Sequence, residues 1–166
     1  MASYDYGKPE VCAWIRENFR RDAMILDVGA GDGKWRLLLP EYRIMDAVEA
    51  WAPNAEKLTG YSVVYPKDIR GVKYLWYDLI IFGDVIEHMS KVDARAVLGY
   101  AWPRCRDLIV AVPFRFKQGA LGGNPYEKHV QDDLTPEIVA ERYPGLAVLH
   151  DPGHGYCYYH KGGGTV

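Results

Sequence analysis

The sequence predicts an α/β domain built on a mostly parallel sheet and closed by an antiparallel hairpin. Three observations carry this expectation. Short apolar runs recur without the alternation of a half-exposed strand, the pattern of parallel strands buried on both faces. Helical or irregular segments separate the runs, as right-handed strand–helix–strand crossovers require. Near the end, two β-type runs flank Asp151-Pro152-Gly153-His154-Gly155, a strong turn signal.

Residues 24–28, 44–48, 61–65, 78–82 and 108–112 are the expected parallel strands, and 146–150 and 156–160 the arms of the hairpin. An opening helix is expected over 9–19, a short one over 34–39 and another over 53–58. Ser90 is placed to cap a helix over 91–102. Thr135 is placed to cap one within 133–143, where Pro136 suits a first turn because its missing N–H leaves nothing unpaired. Residues 114–132 form the longest stretch without periodicity and contain Gly119, Gly122, Gly123 and Pro125. Loops of that length in compact domains are functional or disordered, and this one follows the fifth strand, where it can overhang the carboxyl edge of the sheet. Residues 162–166 are expected to be a flexible tail, leaving 1–161 as one domain.

The 166 residues suffice for one domain with a real core. Twenty Lys and Arg against 22 Asp and Glu leave a net charge of −2, so no general field recruits nucleic acid or an anionic membrane. The start lacks a charged segment followed by an apolar one, and no apolar run approaches the roughly 18–20 residues of a membrane helix. Cys12, Cys105 and Cys157 are an odd number at long spacings, with no CxxC pair and no matching histidine spacing. These features predict a cytoplasmic protein with inert, reduced thiols and no metal site.

The densest signal is Asp27-Val28-Gly29-Ala30-Gly31-Asp32-Gly33, a buried strand running into a glycine turn and then a helix. Alternate glycines allow a tight turn and let a ligand approach where a Cβ would collide. A dinucleotide fingerprint needs its third glycine at position 34, which holds Lys34. Asp27 and Asp32 would repel a pyrophosphate but suit a ligand bearing an ammonium and a sulfonium. Glu49 ends the second strand, where a carboxylate can accept both hydroxyls of a ribose. Asp68 follows the third strand, where it can accept from an adenine amino group with Ile69 against the ring.

With these motifs in this order, the sequence resembles the class I, Rossmann-like S-adenosylmethionine-dependent methyltransferases from about residue 9 to residue 160. The resemblance implies a three-layer sandwich with strand order 3-2-1-4-5-7-6. It implies S-adenosylmethionine as cofactor, held by Asp27, Gly29, Ala30, Gly31, Gly33, Glu49, Ala50, Asp68, Ile69, Gly83 and Asp84, with S-adenosylhomocysteine as product. It places Asp84, Glu87 and His88, after the fourth strand, beside the transferred methyl group. His88 is a candidate base with Asp84 as its orienting group.

The expected activity is methyl transfer to an oxygen or nitrogen of a small-molecule or sugar-like acceptor. On the roof loop, His129 is a second candidate base, because its ordinary pKa of about 6.5 suits proton removal near neutrality. Tyr126 and Arg115 join His129 as expected acceptor contacts. Asn124-Pro125-Tyr126 lacks one proline of the DNA amino-methyltransferase motif and follows the fifth strand rather than the fourth, so base methylation is not expected. Alternatives are a non-catalytic S-adenosylmethionine-binding partner subunit and, more distantly, an aminopropyl transferase. A homodimer is left open.

Overall fold

A computed structural model describes residues 5–162. Seven strands, β1 (Met24–Val28), β2 (Ile44–Val48), β3 (Val64–Tyr65), β4 (Tyr77–Gly83), β5 (Cys105–Pro113), β6 (Ala147–Gly153) and β7 (Tyr156–Gly162), lie in the order β3-β2-β1-β4-β5-β7-β6. All neighbours are parallel except β5–β7 and β6–β7. Five α-helices, α1 (Lys8–Asn18), α2 (Lys34–Leu38), α3 (Ala52–Ala55), α4 (Lys91–Ala101) and α5 (Pro136–Arg142), alternate with the strands. This is the α/β class and strand order expected.

Because successive strand residues face opposite ways, each strand feeds two cores. Leu26, Val28, Ile80, Phe82, Leu108 and Val110 pack with Val97 and Leu98 of α4 and Val139 of α5. Ile25, Met45, Leu79, Ile81 and Ile109 pack with Val11 and Ile15 of α1 and Trp35 of α2. Helices therefore cover both faces of the sheet, and the strands read as unbroken apolar runs for that reason. Ser90 caps α4 through the N–H of Asp93, and Thr135 caps α5 through the N–H of Ile138.

Several boundaries differ from expectation. The third strand shrinks to two residues because it lies at the sheet edge, where Ser62 N–H already donates to Met45 O outside the regular ladder. The helix expected over 53–58 keeps α-geometry only at Ala52–Ala55, and Lys57 and Leu58 continue as tighter turns onto the carbonyls of Asn54 and Ala55. Gly162, assigned to the tail, closes β7 opposite Asp107, and residues 163–166 lie outside the described residues. The hairpin turns at His154 and Gly155, both at positive φ, as a tight connection matching strand twist demands.

The glycine turn is held by shape as well as by hydrogen bonds. Gly29 sits at φ +71°, and a Cβ there would lie 2.5 Å from Val85 Cγ2. Gly99, exposed within α4, has open space around it and no positive φ. Gly29→Ala is expected to lower unfolding free energy by about 1–3 kcal/mol. Gly99→Ala is expected to raise it by about 0.5–1 kcal/mol. Urea unfolding of the two variants checks both signs.

Candidate active site

The strands β1, β2 and β4 end together, and their following loops wall a cavity of about 1140 Å³ including its open mouth. The turn after β1 is hooked to the end of β2, since Gly29 N–H and Ala30 N–H both donate to Val48 O. Glu49 tightens this join. Its Oε2 accepts from Gly31 N–H at 2.7 Å and its Oε1 from Trp51 N–H at 2.8 Å. Burial pushes the Glu49 carboxyl above its ordinary pKa, while the two N–H groups pull the other way. Gly31 has φ +56°, and a Cβ there would meet protein only at Gly29 O, 3.8 Å away, so it would project into the cavity.

The cavity gathers Gly29, Ala30, Gly31, Glu49, Ala50, Asp68, Ile69, Gly83, Asp84, His88, Tyr126 and His129 from among the expected site residues. Asp68 caps the short turn Ile69–Gly71 and is paired with Arg70 at 2.6 Å, which lowers its pKa. Gly83 leaves room for Trp35, whose Nε1 would lie 2.7 Å from a Cβ at that position.

Three expected residues lie elsewhere. Asp27 is fully buried beneath the turn and accepts from the Tyr61 hydroxyl at 2.6 Å, and burial pushes its carboxyl up to about 7. Gly33, the residue before α2, faces Leu58 and Tyr61 and shapes the turn from behind. Arg115 is exposed outside the cavity, held by its N–H to Leu134 O.

The roof loop is ordered across the turn that follows β4. Val130 N–H and Gln131 N–H both donate to Glu87 O. The Gln131 amide donates to the carbonyls of Ile86 and Met89, and its Oε1 accepts from the Tyr143 hydroxyl. His129 Nδ1 lies 2.6 Å from Phe116 O and His88 Nδ1 lies 3.2 Å from Lys128 O. A carbonyl only accepts, so each Nδ1 carries the proton and each Nε2 keeps a lone pair. Burial lowers both histidine pKa values, which favours these neutral forms.

The carboxylate of Asp84, expected from the sequence to orient His88, is turned to Tyr156 instead. Its Oδ1 accepts from the Tyr156 hydroxyl at 2.7 Å, and its Oδ2 is sealed from solvent without a hydrogen-bond partner. Burial pushes it up to about 6. The backbone of Asp84 takes φ 57°, a left-handed value that aims the carboxylate toward β7 rather than along its own turn.

Trp35, Phe116 and Glu127 are among the lining residues that the sequence did not single out, and Glu87 was read there only as a neighbour of the transferred methyl group. Glu87 is fully buried with both carboxylate oxygens unpartnered, and burial beside Asp84 holds its pKa well above the carboxylate range. With His88 and His129 it forms the group, among the described residues, whose ligating atoms lie within 4.8 Å of one another. The signal for Glu87 was its place between Asp84 and His88. Nothing in sequence spacing links that turn to residue 129.

No protein-family model and no curated protein matches the chain. Solved structures do. A S-adenosylmethionine-dependent methyltransferase from Clostridium acetobutylicum superposes with TM-score 0.73 at 14% identity, covering 98% of this chain and 94% of its own. The fold is that of the class I methyltransferases. An amino pentose methyltransferase from Micromonospora echinaspora, solved with S-adenosylmethionine bound, shares this methyltransferase fold at TM-score 0.68 and 14% identity, over 96% of this chain and 91% of its own. Magnesium protoporphyrin IX methyltransferase from Synechocystis, also with S-adenosylmethionine bound, does so at 0.61 and 15%, over 92% and 76%.

Asp27 generates a pH prediction. A carboxyl at about 7 in the fold, against an ordinary 3.8, holds a proton that the unfolded chain has released. Its contribution to stability therefore falls as pH rises between those values. Asp27→Asn keeps an acceptor for Tyr61 and removes the titration. Between about pH 5 and about pH 8 the urea midpoint of the native protein is expected to decline relative to that of the variant. Parallel pH profiles would show that Asp27 is not the buried acid described.

Proposed function

We propose that the chain, as one cytoplasmic domain, transfers a methyl group from S-adenosylmethionine to an oxygen or nitrogen of a small-molecule or sugar-like acceptor. The observation that carries this reading is the charge and shape of the cavity at the glycine turn. Asp32, Glu49, Asp68, Asp84 and Glu127 line it against Lys67 and Arg70, and Arg70 is already paired with Asp68 and Asp93. Such a lining repels a pyrophosphate and attracts an ammonium and a sulfonium. Gly31 leaves open the space that the methionine portion of the cofactor needs, and Glu49 retains lone pairs for ribose hydroxyls after accepting two N–H groups. Three free, buried thiols suit a reducing compartment, and among the described residues no helix is long and apolar enough to cross a membrane.

When bound, S-adenosylmethionine supplies an electrophilic methyl group on a sulfonium and leaves as S-adenosylhomocysteine. The protein's part is alignment: holding the acceptor atom about 3–3.5 Å from the methyl carbon and in line with its bond. Asp68 and Ile69 line the cavity, which supports an adenine contact there, and roof-loop residues line its other side. His88 and His129 both line the cavity, and with Nδ1–H given to a carbonyl either Nε2 can take a proton from a hydroxyl or protonated amine. Tyr126 lines the cavity and is 44% exposed, which supports a contact with the outer part of the acceptor.

Calorimetric titration tests the cofactor. S-adenosylmethionine and S-adenosylhomocysteine are expected to bind and NAD not to bind. Gly31→Ala, with its new Cβ in the cavity, is expected to weaken both adenosyl ligands by at least about tenfold while circular dichroism stays native. Tight NAD binding, or unchanged affinity in that variant, would overturn this placement of the cofactor.

A further inference from the structure

We propose that Glu87, His88 and His129 form a binding site for a divalent transition-metal cation at the acceptor end of the cavity. The three side chains come from two separate segments, the Ile86–His88 turn after β4 and the roof loop. Their ligating atoms nonetheless lie within 4.8 Å of one another, and the two imidazole rings meet at 4.7 Å between centroids.

Each imidazole is oriented as metal-binding histidines are. Its Nδ1–H is given to a backbone carbonyl, of Lys128 for His88 and of Phe116 for His129. Such a bond fixes the ring, sets the tautomer and leaves Nε2 as the basic atom for a cation. The third member is the acidic ligand. Both Glu87 oxygens are sealed from solvent and lack any hydrogen-bond partner. A carboxylate in that position is costly unless a cation or donor satisfies it. The contacts proposed for the adenosyl cofactor do not engage it.

Glu87 Oε1 lies 3.9 Å from His88 Nε2. Metal–ligand bonds of about 2.0–2.2 Å draw neighbouring ligand atoms to about 3–3.5 Å apart, so a small side-chain rotation closes the site. Two imidazoles and one carboxylate favour manganese, iron, cobalt or zinc over calcium or magnesium, whose preferred ligands are all oxygen. All three residues line the cavity, so the remaining coordination positions face the acceptor space.

The role of such an ion rests on the methyl-transfer reading. A hydroxyl oxygen is the acceptor group that a coordinated cation both holds and acidifies, so the site selects an oxygen acceptor. His88 and His129 then serve as ligands, and the hydroxyl proton passes to water as the new carbon–oxygen bond forms and the carbon–sulfur bond breaks.

The test uses the full, untagged chain stripped of metal and titrated with Mn²⁺, followed by calorimetry and by the electron paramagnetic resonance signal of free Mn²⁺. One ion per chain is expected to bind, with affinity reduced at least about tenfold in Glu87→Gln and in His129→Asn. Circular dichroism and thermal melts identify any variant that has lost its fold, in which case the other variant decides. Absence of stoichiometric binding, or equal binding by native protein and both folded variants, would overturn the site. Titration of S-adenosylhomocysteine in parallel separates the two readings. Cofactor binding without Mn²⁺ binding removes the metal site alone, whereas Mn²⁺ binding without cofactor binding supports the site and overturns the methyl-transfer reading.

Discussion

The carboxylate of Glu49, receiving the N–H groups of Gly31 and Trp51, joins the first two crossovers of the sheet into one rigid edge. Loops that leave a parallel ladder carry backbone donors with no strand to accept them, and at a buried edge each needs a partner. One side chain at the end of β2 serves two of these donors. By doing so it fixes the glycine turn in the left-handed conformations of Gly29, Gly31 and Gly33 and keeps the cavity open above it. A charged acceptor is stronger than a neutral one, which explains a glutamate here despite the cost of burying it.

The opposite wall is set by a different device. The roof loop is fastened by backbone N–H groups of Val130 and Gln131 to the carbonyl of Glu87, and by the Gln131 side chain to Ile86 and Met89. This backbone stitching brings His129 against His88, 41 positions earlier in the chain. The Glu87 carboxylate lies near both rings, buried and without a hydrogen-bond donor. A buried, unpaired acid is an expensive feature in a domain whose net stability is typically only about 5–15 kcal/mol. Its retention beside two oriented imidazoles is what sets this end of the cavity apart from the cofactor end.

Charge separates the two ends functionally as well. Asp27, Asp84 and Glu87 all lie where burial raises their pKa, but for different partners: Tyr61 behind the glycine turn, Tyr156 on β7, and no hydrogen-bond donor for Glu87. The first two each accept one tyrosine hydroxyl and leave the other oxygen without a hydrogen-bond partner. Asp84 nevertheless borders the cavity, which places negative potential beside the histidine pair without its carboxylate hydrogen-bonding to either ring.

The sequence alone determined the α/β class, the seven strands, the hairpin and the glycine turn with Glu49 and Asp68, because each depends on local periodicity or on residues a fixed distance apart along one crossover. Strands buried on both faces must be apolar throughout, and that pattern survives without any tertiary knowledge. Only the tertiary structure decided which acids face the cavity. Asp27 and Asp84 are adjacent to glycine turns in the sequence, yet strand alternation turns the first to Tyr61 and a positive φ turns the second to Tyr156. Arg115 and His129 share one loop, but a backbone bond to Leu134 keeps the first outside the cavity while a bond to Phe116 draws the second in. The grouping of Glu87, His88 and His129 depends on where that loop folds back, a contact between distant segments that composition and spacing do not encode.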